Sequence, residues 1–103
     1  MFSSLPTLTF TAELWLWHTE KGSWHFLTVP ADYTQLIKSF QIPGSGFGSV
    51  RVRVTIGGST WNTSVFPDSK KGAFLLPVKA AVRKAEGLVL GEPFEVTMSP
   101  KEL

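Results

Sequence analysis

The sequence predicts a mainly β fold: a small closed barrel of six strands with two short α-helices. Apolar and polar residues alternate along several segments with the period of two that is typical of half-buried strands. Two short segments with helical spacing interrupt these strands. The same order of elements also occurs twice along the chain: a strand, a proline, a short helix, a glycine-containing loop and a second strand. A pseudo-twofold barrel would close such a repeat and leave no long open edge.

The first predicted hairpin covers residues 8–18 and 24–29, with a turn at 20–23. Alternation through 8–18 makes one long strand, with these apolar residues on one face: Phe10, Ala12, Leu14 and Leu16. A two-residue loop at Lys21 and Gly22 would place His18 opposite His25. In the same register, these pairs are expected: Leu16 with Leu27, Leu14 with Val29, Trp17 with Phe26, and Trp15 with Thr28.

The central hairpin is the clearest local signal. Residues 49–56 alternate strictly, Gly57 and Gly58 form a two-residue turn, and 60–66 return antiparallel. The resulting register pairs core positions with core positions: Val54 with Trp61, Val52 with Thr63, and Val50 with Val65. On the outer face it pairs Arg53 with Asn62 and Arg51 with Ser64.

Two helices follow from capping signals and apolar spacing. Asp32 and Gln35 resemble a capping box that opens a helix to about Phe40. Its predicted buried stripe is Tyr33, Leu36, Ile37 and Phe40.

The rest of the chain is predicted from its turn residues and apolar spacing. Residues 43–48 form a loop, 67–72 a turn and 73–76 a strand. Residues 79–86 form the second helix, with Gly87 ending it, and 94–98 the last strand. The chain is expected to be one domain, 1–103, frayed at 1–7 and 99–103.

Composition excludes several classes of function. The 103 residues contain no cysteine, which excludes disulfides, zinc ribbons and thiol chemistry. The net charge of +2 comes from ten basic and eight acidic residues without a basic block, unlike most nucleic-acid binders. No signal segment or membrane span is recognised. We therefore expect a cytoplasmic protein without membrane contact or cofactor, as a monomer or homodimer.

Several segments are similar to one known family. They are residues 13–17, the strand end at 26–30, the hairpin 54–67 and the helix region 76–87. Together they strongly resemble the bacterial domain-of-unknown-function 1905 family, across nearly the whole chain. The resemblance implies a double-split β-barrel and no activity. Residues 76–96 also look like the half-barrel of AbrB/MazE-type DNA-binding proteins, although fold similarity alone does not carry function.

An aromatic face is the main candidate site. Trp15, Trp17, Trp24 and Phe26 are predicted on the face opposite Leu14 and Leu16, so the hairpin is apolar on both sides. Such a face must be covered by a helix, a dimer partner or a ligand. With Glu13 near its end, it would suit a small apolar or aromatic molecule.

Two sets of basic residues are further candidates. Arg51 and Arg53 make an outward row that would hold a phosphate or carboxylate, or simply be solvated. Lys79, Arg83 and Lys84 would contact a nucleic-acid backbone, although cations near a helix C-terminus are also expected for dipole reasons.

The two histidines offer the only acid–base chemistry near neutral pH. If His18 and His25 face each other they would share a metal, but a third ligand is missing unless Glu20 reaches back from the turn. We therefore predict no metal site. The sequence favours a binding module for a small organic ligand, oriented by Glu13, Arg51, Arg53 or a histidine. The alternatives are an AbrB-like nucleic-acid binder and a cofactor-free enzyme that uses His18, His25 or Glu13.

Overall fold

A computed structural model describes residues 6–41 and 48–101. Its strands are β1 Leu8–Ala12, β2 Trp15–Thr19, β3 Gly22–Thr28, β4 Val50–Ile56, β5 Ser59–Asp68, β6 Ala73–Pro77 and β7 Phe94–Pro100. The helices are α1 Thr34–Lys38, preceded by a 3-10 turn at Ala31–Tyr33, and α2 Ala80–Glu86. Within these ranges, no helix has the length and apolar character needed to span a membrane. The expected N-terminal fraying at 1–5, most of the loop 43–48, and residues 102–103 lie outside the described residues.

The fold is mainly β, but it is not the predicted closed barrel of six strands. Seven antiparallel strands form one curled, open sheet in the order β1-β7-β4-β5-β6-β3-β2. The ten-residue β5 belongs to both halves, pairing with β4 along one stretch and with β6 along another. Among the described residues, no ladder joins the edge strands β1 and β2, so the half-barrel stays open.

The extra strand arises because the predicted strand 8–18 divides at Glu13 and Leu14. β1 pairs with β7, whereas β2 pairs with β3 at the opposite edge of the sheet. Apolar alternation continues through Leu14, which is 3% exposed, but fails at Leu16, which is 43% exposed. Leu16 pairs with His25, two residues beyond the buried Leu27, and so lies past the end of the core.

The first hairpin is shifted by two residues from its predicted register. Its loop is Glu20 and Lys21 rather than Lys21 and Gly22, because the ladder closes with Thr19 opposite Gly22. The Thr19 hydroxyl accepts the Lys21 N–H at 3.2 Å and so stabilises the turn at this position. An even shift leaves every side chain on its predicted face while changing its partner.

The central hairpin confirms the predicted register at every pair named above. The turn has Gly57 at φ 57°, a backbone conformation that favours glycine. A contact outside the hairpin also supports the turn. The carboxylate of Glu86, at the end of α2, accepts the Gly58 N–H at 3.2 Å and the Ser59 hydroxyl proton.

The first helix differs from its predicted form. No side-chain capping bond forms at either helical start, so the Asp32–Gln35 capping box is wrong. The chain instead enters through a 3-10 turn, in which the Tyr33 N–H donates to the Pro30 carbonyl at 3.0 Å. Leu36, which is predicted to be buried, is exposed, whereas Thr34 is buried. The Thr34 hydroxyl donates a hydrogen bond to the Gly72 carbonyl at 2.8 Å.

The repeated plan is present as β3-α1-β4 and β6-α2-β7, and the two copies interleave. Corresponding strands pair with each other, β3 with β6 and β4 with β7. The core lies inside the curl and contains side chains from every strand except β2. The fully buried strand residues include Leu27, Val52, Val54, Val65, Leu76 and Val96. β7 runs two residues past its predicted end, and Ser99 pairs with Arg53.

Candidate ligand-binding site

The outer face of the sheet is divided into a polar half and an aromatic half. Partners in an antiparallel ladder share a face, so each half can be traced from one strand to the next. The polar half joins Arg51 to Ser64 and Arg53 to both Asn62 and Ser99. The aromatic half lies on β2, β3, β6 and β5 and consists of three rows of cross-strand partners. The rows are Trp17 with Trp24; Trp15 with Phe26 and Pro77; and Thr28 with Leu75 and Phe66.

Trp15, Trp17, Trp24 and Phe26 form one contiguous group, here termed the aromatic cluster. Ring centroids are 5.3 Å apart for Trp17 and Trp24 and 5.4 Å apart for Trp15 and Phe26, within the range of favourable aromatic pairs. The Trp15 indole N–H donates to the Thr28 hydroxyl at 3.0 Å. Trp17 remains 51% exposed and Trp24 42% exposed. Neither helix therefore covers this face.

A groove of about 400 Å³ lies beside the cluster, here termed the aromatic groove. Its residues are Trp15, Trp17, Phe26, Asp68, Lys70, Lys71 and Leu75. The Lys71 ammonium lies 3.8 Å from the centroid of a Trp15 ring, a cation–π contact. The groove thus combines aromatic walls with two lysines and one carboxylate at its rim.

The β5–β6 turn positions these lysines. The Asp68 side chain accepts the Lys70 N–H at 3.0 Å, and its carbonyl accepts the Lys71 and Gly72 N–H groups at 3.2 and 2.9 Å. Four of the residues that line the groove are not among the site residues that the sequence predicts: Asp68, Lys70, Lys71 and Leu75. One signal was present: Lys70 and Lys71 are adjacent basic residues in a predicted turn.

The two histidines are not cross-strand partners, and Glu13 is not part of the aromatic groove. The predicted pairing of His18 with His25 is wrong, because His18 pairs with Ser23, whose hydroxyl lies 2.6 Å from His18 Nδ1. Glu13 is exposed between β1 and β2, outside the residues that line the aromatic groove. Across residues 6–41 and 48–101, no group of three or more His, Cys, Asp or Glu side chains is arranged to hold a metal.

The outward arginine row has its predicted place but is separate from the aromatic groove. Arg51 and Arg53 are exposed on β4, and Arg53 Nε donates a long hydrogen bond of 3.5 Å to Asn62 Oδ1. The two arginines therefore face solvent and polar neighbours on the outer sheet.

The three cations of α2 divide into two kinds. Lys84 is exposed, whereas Arg83 is half-buried and donates from Nη1 to the Val78 carbonyl at 2.7 Å. Lys79 and Arg83 line a second cavity, of about 350 Å³, together with His25, Trp24 and Trp61. Burial, and secondarily the charge of Arg83, lowers the pKa of His25 below its ordinary value. Lys84 is not among the residues of this cavity.

Comparison with known proteins supports the family resemblance. The model of one family, "Domain of unknown function (DUF1905)", matches residues 10–98. A search of curated proteins finds no match. The family match includes all seven strands in whole or in part, and with them the aromatic cluster, the β5–β6 turn and α2.

Proposed function

Since this chain belongs to the DUF1905 family of domains of unknown function, we propose a function from its own surface. The domain binds a small organic molecule in the aromatic groove, and the preferred ligand has a planar ring system with an anionic substituent. The observation that carries this proposal is the uncovered aromatic cluster beside a groove whose rim holds Lys70 and Lys71.

Exposure of two tryptophans on a sheet face favours a binding role. An exposed large apolar patch on a small domain marks a surface that gains free energy when it is covered. Trp17 and Trp24 already stack on each other, so a flat ligand meets side chains whose conformational freedom is reduced. The groove volume of about 400 Å³ falls within the range of small-molecule sites.

The rim determines which substituent the ligand should carry. Lys71 lies over the Trp15 ring, so a ring bound in the groove places its substituents near this ammonium group. Lys70 adds a second positive charge, while Asp68 is engaged by the backbone of its own turn. Trp15 offers its ring face only, because Thr28 accepts its indole N–H.

The test is a titration with 1-anilinonaphthalene-8-sulfonate, an aromatic anion with a planar naphthalene ring, followed by the fluorescence of the dye. Trp17→Ala is expected to weaken binding about tenfold, as loss of a stacking partner does. Leu90→Ala is the matched control, since Leu90 is an exposed apolar residue outside the groove. Equal affinities for the two variants would contradict the proposal.

Two alternative functions that the sequence offers remain predictions, namely nucleic-acid binding and enzymatic catalysis. Nucleic-acid binding through Lys79, Arg83 and Lys84 predicts steep loss of affinity with salt, which an oligonucleotide titration measures. An enzyme that uses His18, His25 or Glu13 predicts turnover that a substitution at one of them abolishes.

A further inference from the structure

The second cavity lies where the sheet loses its middle strand. β6 runs between β3 and β5 and ends at Pro77, opposite Phe26. The neighbouring strands continue past this point, with Ser23–His25 on one side of the gap and Trp61–Thr63 on the other. The chain then turns into α2, so that Lys79 and Arg83 border the opening. The gap encloses about 350 Å³.

This cavity is positively charged. Lys79 and Arg83 contribute two cations, and no carboxylate is among the described residues that line it. The hydrogen bond from Arg83 Nη1 to the Val78 carbonyl holds the guanidinium at the wall and leaves its other N–H donors available. A held guanidinium loses less conformational freedom on binding an oxyanion than a free side chain does.

The remaining lining suits a small polar solute. The Thr63 hydroxyl and the Asn62 amide N–H groups are neutral hydrogen-bonding groups of this lining, whereas the Ser23 hydroxyl is already paired with His18; Trp24 and Trp61 supply apolar walls. His25 is half-buried beside Arg83, and burial, followed by the charge of Arg83, lowers the pKa of its ring and so favours the neutral imidazole. A neutral imidazole offers one N–H donor and adds no further positive charge to those of Lys79 and Arg83.

We propose that the gap between β3 and β5, bordered by Lys79 and Arg83, is a binding site for a small oxyanion, a phosphate or a carboxylate group. Arginine presents a planar fork of donors that matches both groups, and Lys79 adds a point charge at the entrance. The site is separate from the aromatic groove, since the two share none of their lining residues, and the two adjoin where Trp24 packs against Trp17.

The experiment is an NMR titration with inorganic phosphate and, separately, with acetate, at constant ionic strength set by chloride. Neither probe has a ring, so neither tests the aromatic groove. Resonances of Trp24, Trp61 and the Arg83 side chain are expected to shift saturably with one or both anions. The anion that binds more tightly, phosphate or acetate, identifies the chemical group that the site prefers.

Matched variants on α2 make the test specific. Arg83→Gln is expected to weaken binding roughly tenfold or more, as loss of a charged hydrogen bond does. Lys79→Gln, at an exposed side chain, should weaken it several-fold, while Lys84→Gln leaves it unchanged on the same helix.

The imidazole of His25 reports occupancy independently. His25 shares the cavity with Arg83 and Lys79, the charged groups among its described lining. A bound anion offsets their positive charge, so the pKa of His25 is expected to rise on saturation with phosphate. Linear shifts without saturation, or equal weakening by Lys79→Gln and Lys84→Gln, would overturn the proposal. If Lys79→Gln and Lys84→Gln weaken anion binding equally and the domain also binds oligonucleotides tightly, the oxyanion site is contradicted and a nucleic-acid-binding surface is indicated instead.

Discussion

Lys71 is the residue that gives the aromatic groove its charge preference. Its ammonium lies over Trp15, at a distance where it attracts the ring and remains close to any ring bound beside it. A flat hydrocarbon gains from the aromatic walls alone, whereas an anionic ring system gains in addition from this charge. The contributions of the ring and of the charge can therefore be measured separately.

Lys71→Gln is expected to weaken the binding of 1-anilinonaphthalene-8-sulfonate about fivefold, the effect of an exposed charge pair of about 1 kcal/mol. Binding of N-phenyl-1-naphthylamine, the same ring system without the sulfonate, should change little. Dye fluorescence measures both affinities. Lys84→Gln is the control for net charge, and equal losses for both dyes would refute a charge contact.

His25 gives the stability a dependence on pH. Its pKa is lowered in the folded chain, so the unfolded chain binds a proton first as the pH falls below about 6.5, the ordinary histidine value. The stabilising contribution is complete above that value and is lost as the pH falls through the folded pKa. Urea unfolding of the wild type is expected to show lower stability at acidic than at neutral pH.

The variant His25→Gln isolates this effect. It removes the titrating group, so the difference in unfolding free energy between the two pH values should shrink. An unchanged difference in the variant would assign the pH dependence to other groups.

At the scale of elements, α2 and the central hairpin are joined by Glu86. Its carboxylate accepts hydrogen bonds from Gly58 and Ser59, so the helix C-terminus helps hold a turn that is distant in sequence. The same carboxylate fills the space over Gly57, where an added Cβ would collide with Glu86 Oε1. Helix and turn therefore constrain each other.

Glu86→Ala is expected to lower the free energy of unfolding by about 1.5–3 kcal/mol, the range for hydrogen bonds to a charged group. Urea denaturation measures the loss. Glu92→Ala, at an exposed carboxylate near the same helix, is the control and should change stability by less than about 0.5 kcal/mol. Similar losses for the two variants would exclude a special role for Glu86.

Gly57→Ala should be destabilising through both its positive φ and its contact with Glu86. Gly58→Ala is the matched control, with its nearest neighbour atom at 3.9 Å. In the double variant Gly57→Ala, Glu86→Ala, the steric part of the loss disappears. The two losses should therefore sum to more than the loss of the double variant, and strict additivity would disprove the steric contact.

At the scale of the whole molecule, one stretch of chain connects the two edges of the sheet. β1 and β2 lie at opposite ends of the strand order, and only Glu13 and Leu14 separate them in sequence. The sheet must therefore curl until its edges come close together. Leu14 is buried at this junction and belongs to the hydrophobic core.

Leu14→Ala is expected to destabilise the whole domain by about 2–5 kcal/mol, as loss of a buried leucine does. Leu16→Ala removes the same side chain two residues later, where it is 43% exposed, and should cost less than about 1 kcal/mol. Thermal or urea unfolding compares the two. A similar cost at both positions would show that the junction is not part of the core.

Much of this fold follows from interactions between near neighbours. The alternation of Val50–Ile56 and the Gly57–Gly58 turn determine the central hairpin and its register without help from the rest of the chain. Gly87, at φ 62°, ends α2 where the sequence predicts. The aromatic residues reach their predicted face because an even shift of register preserves faces. The family match over residues 10–98 includes these same segments.

Only the tertiary structure decided how these pieces meet. The division of 8–18 into two strands depends on which distant strand each half pairs with, and alternation within the segment does not reveal this. Lys70 and Lys71 join the aromatic groove because β6 packs between β5 and β3. His25 and Arg83, far apart in sequence, meet because β6 stops at Pro77 and α2 packs over the gap. Periodicity reports the face of a residue, whereas its neighbours across a groove depend on the packing of the entire chain.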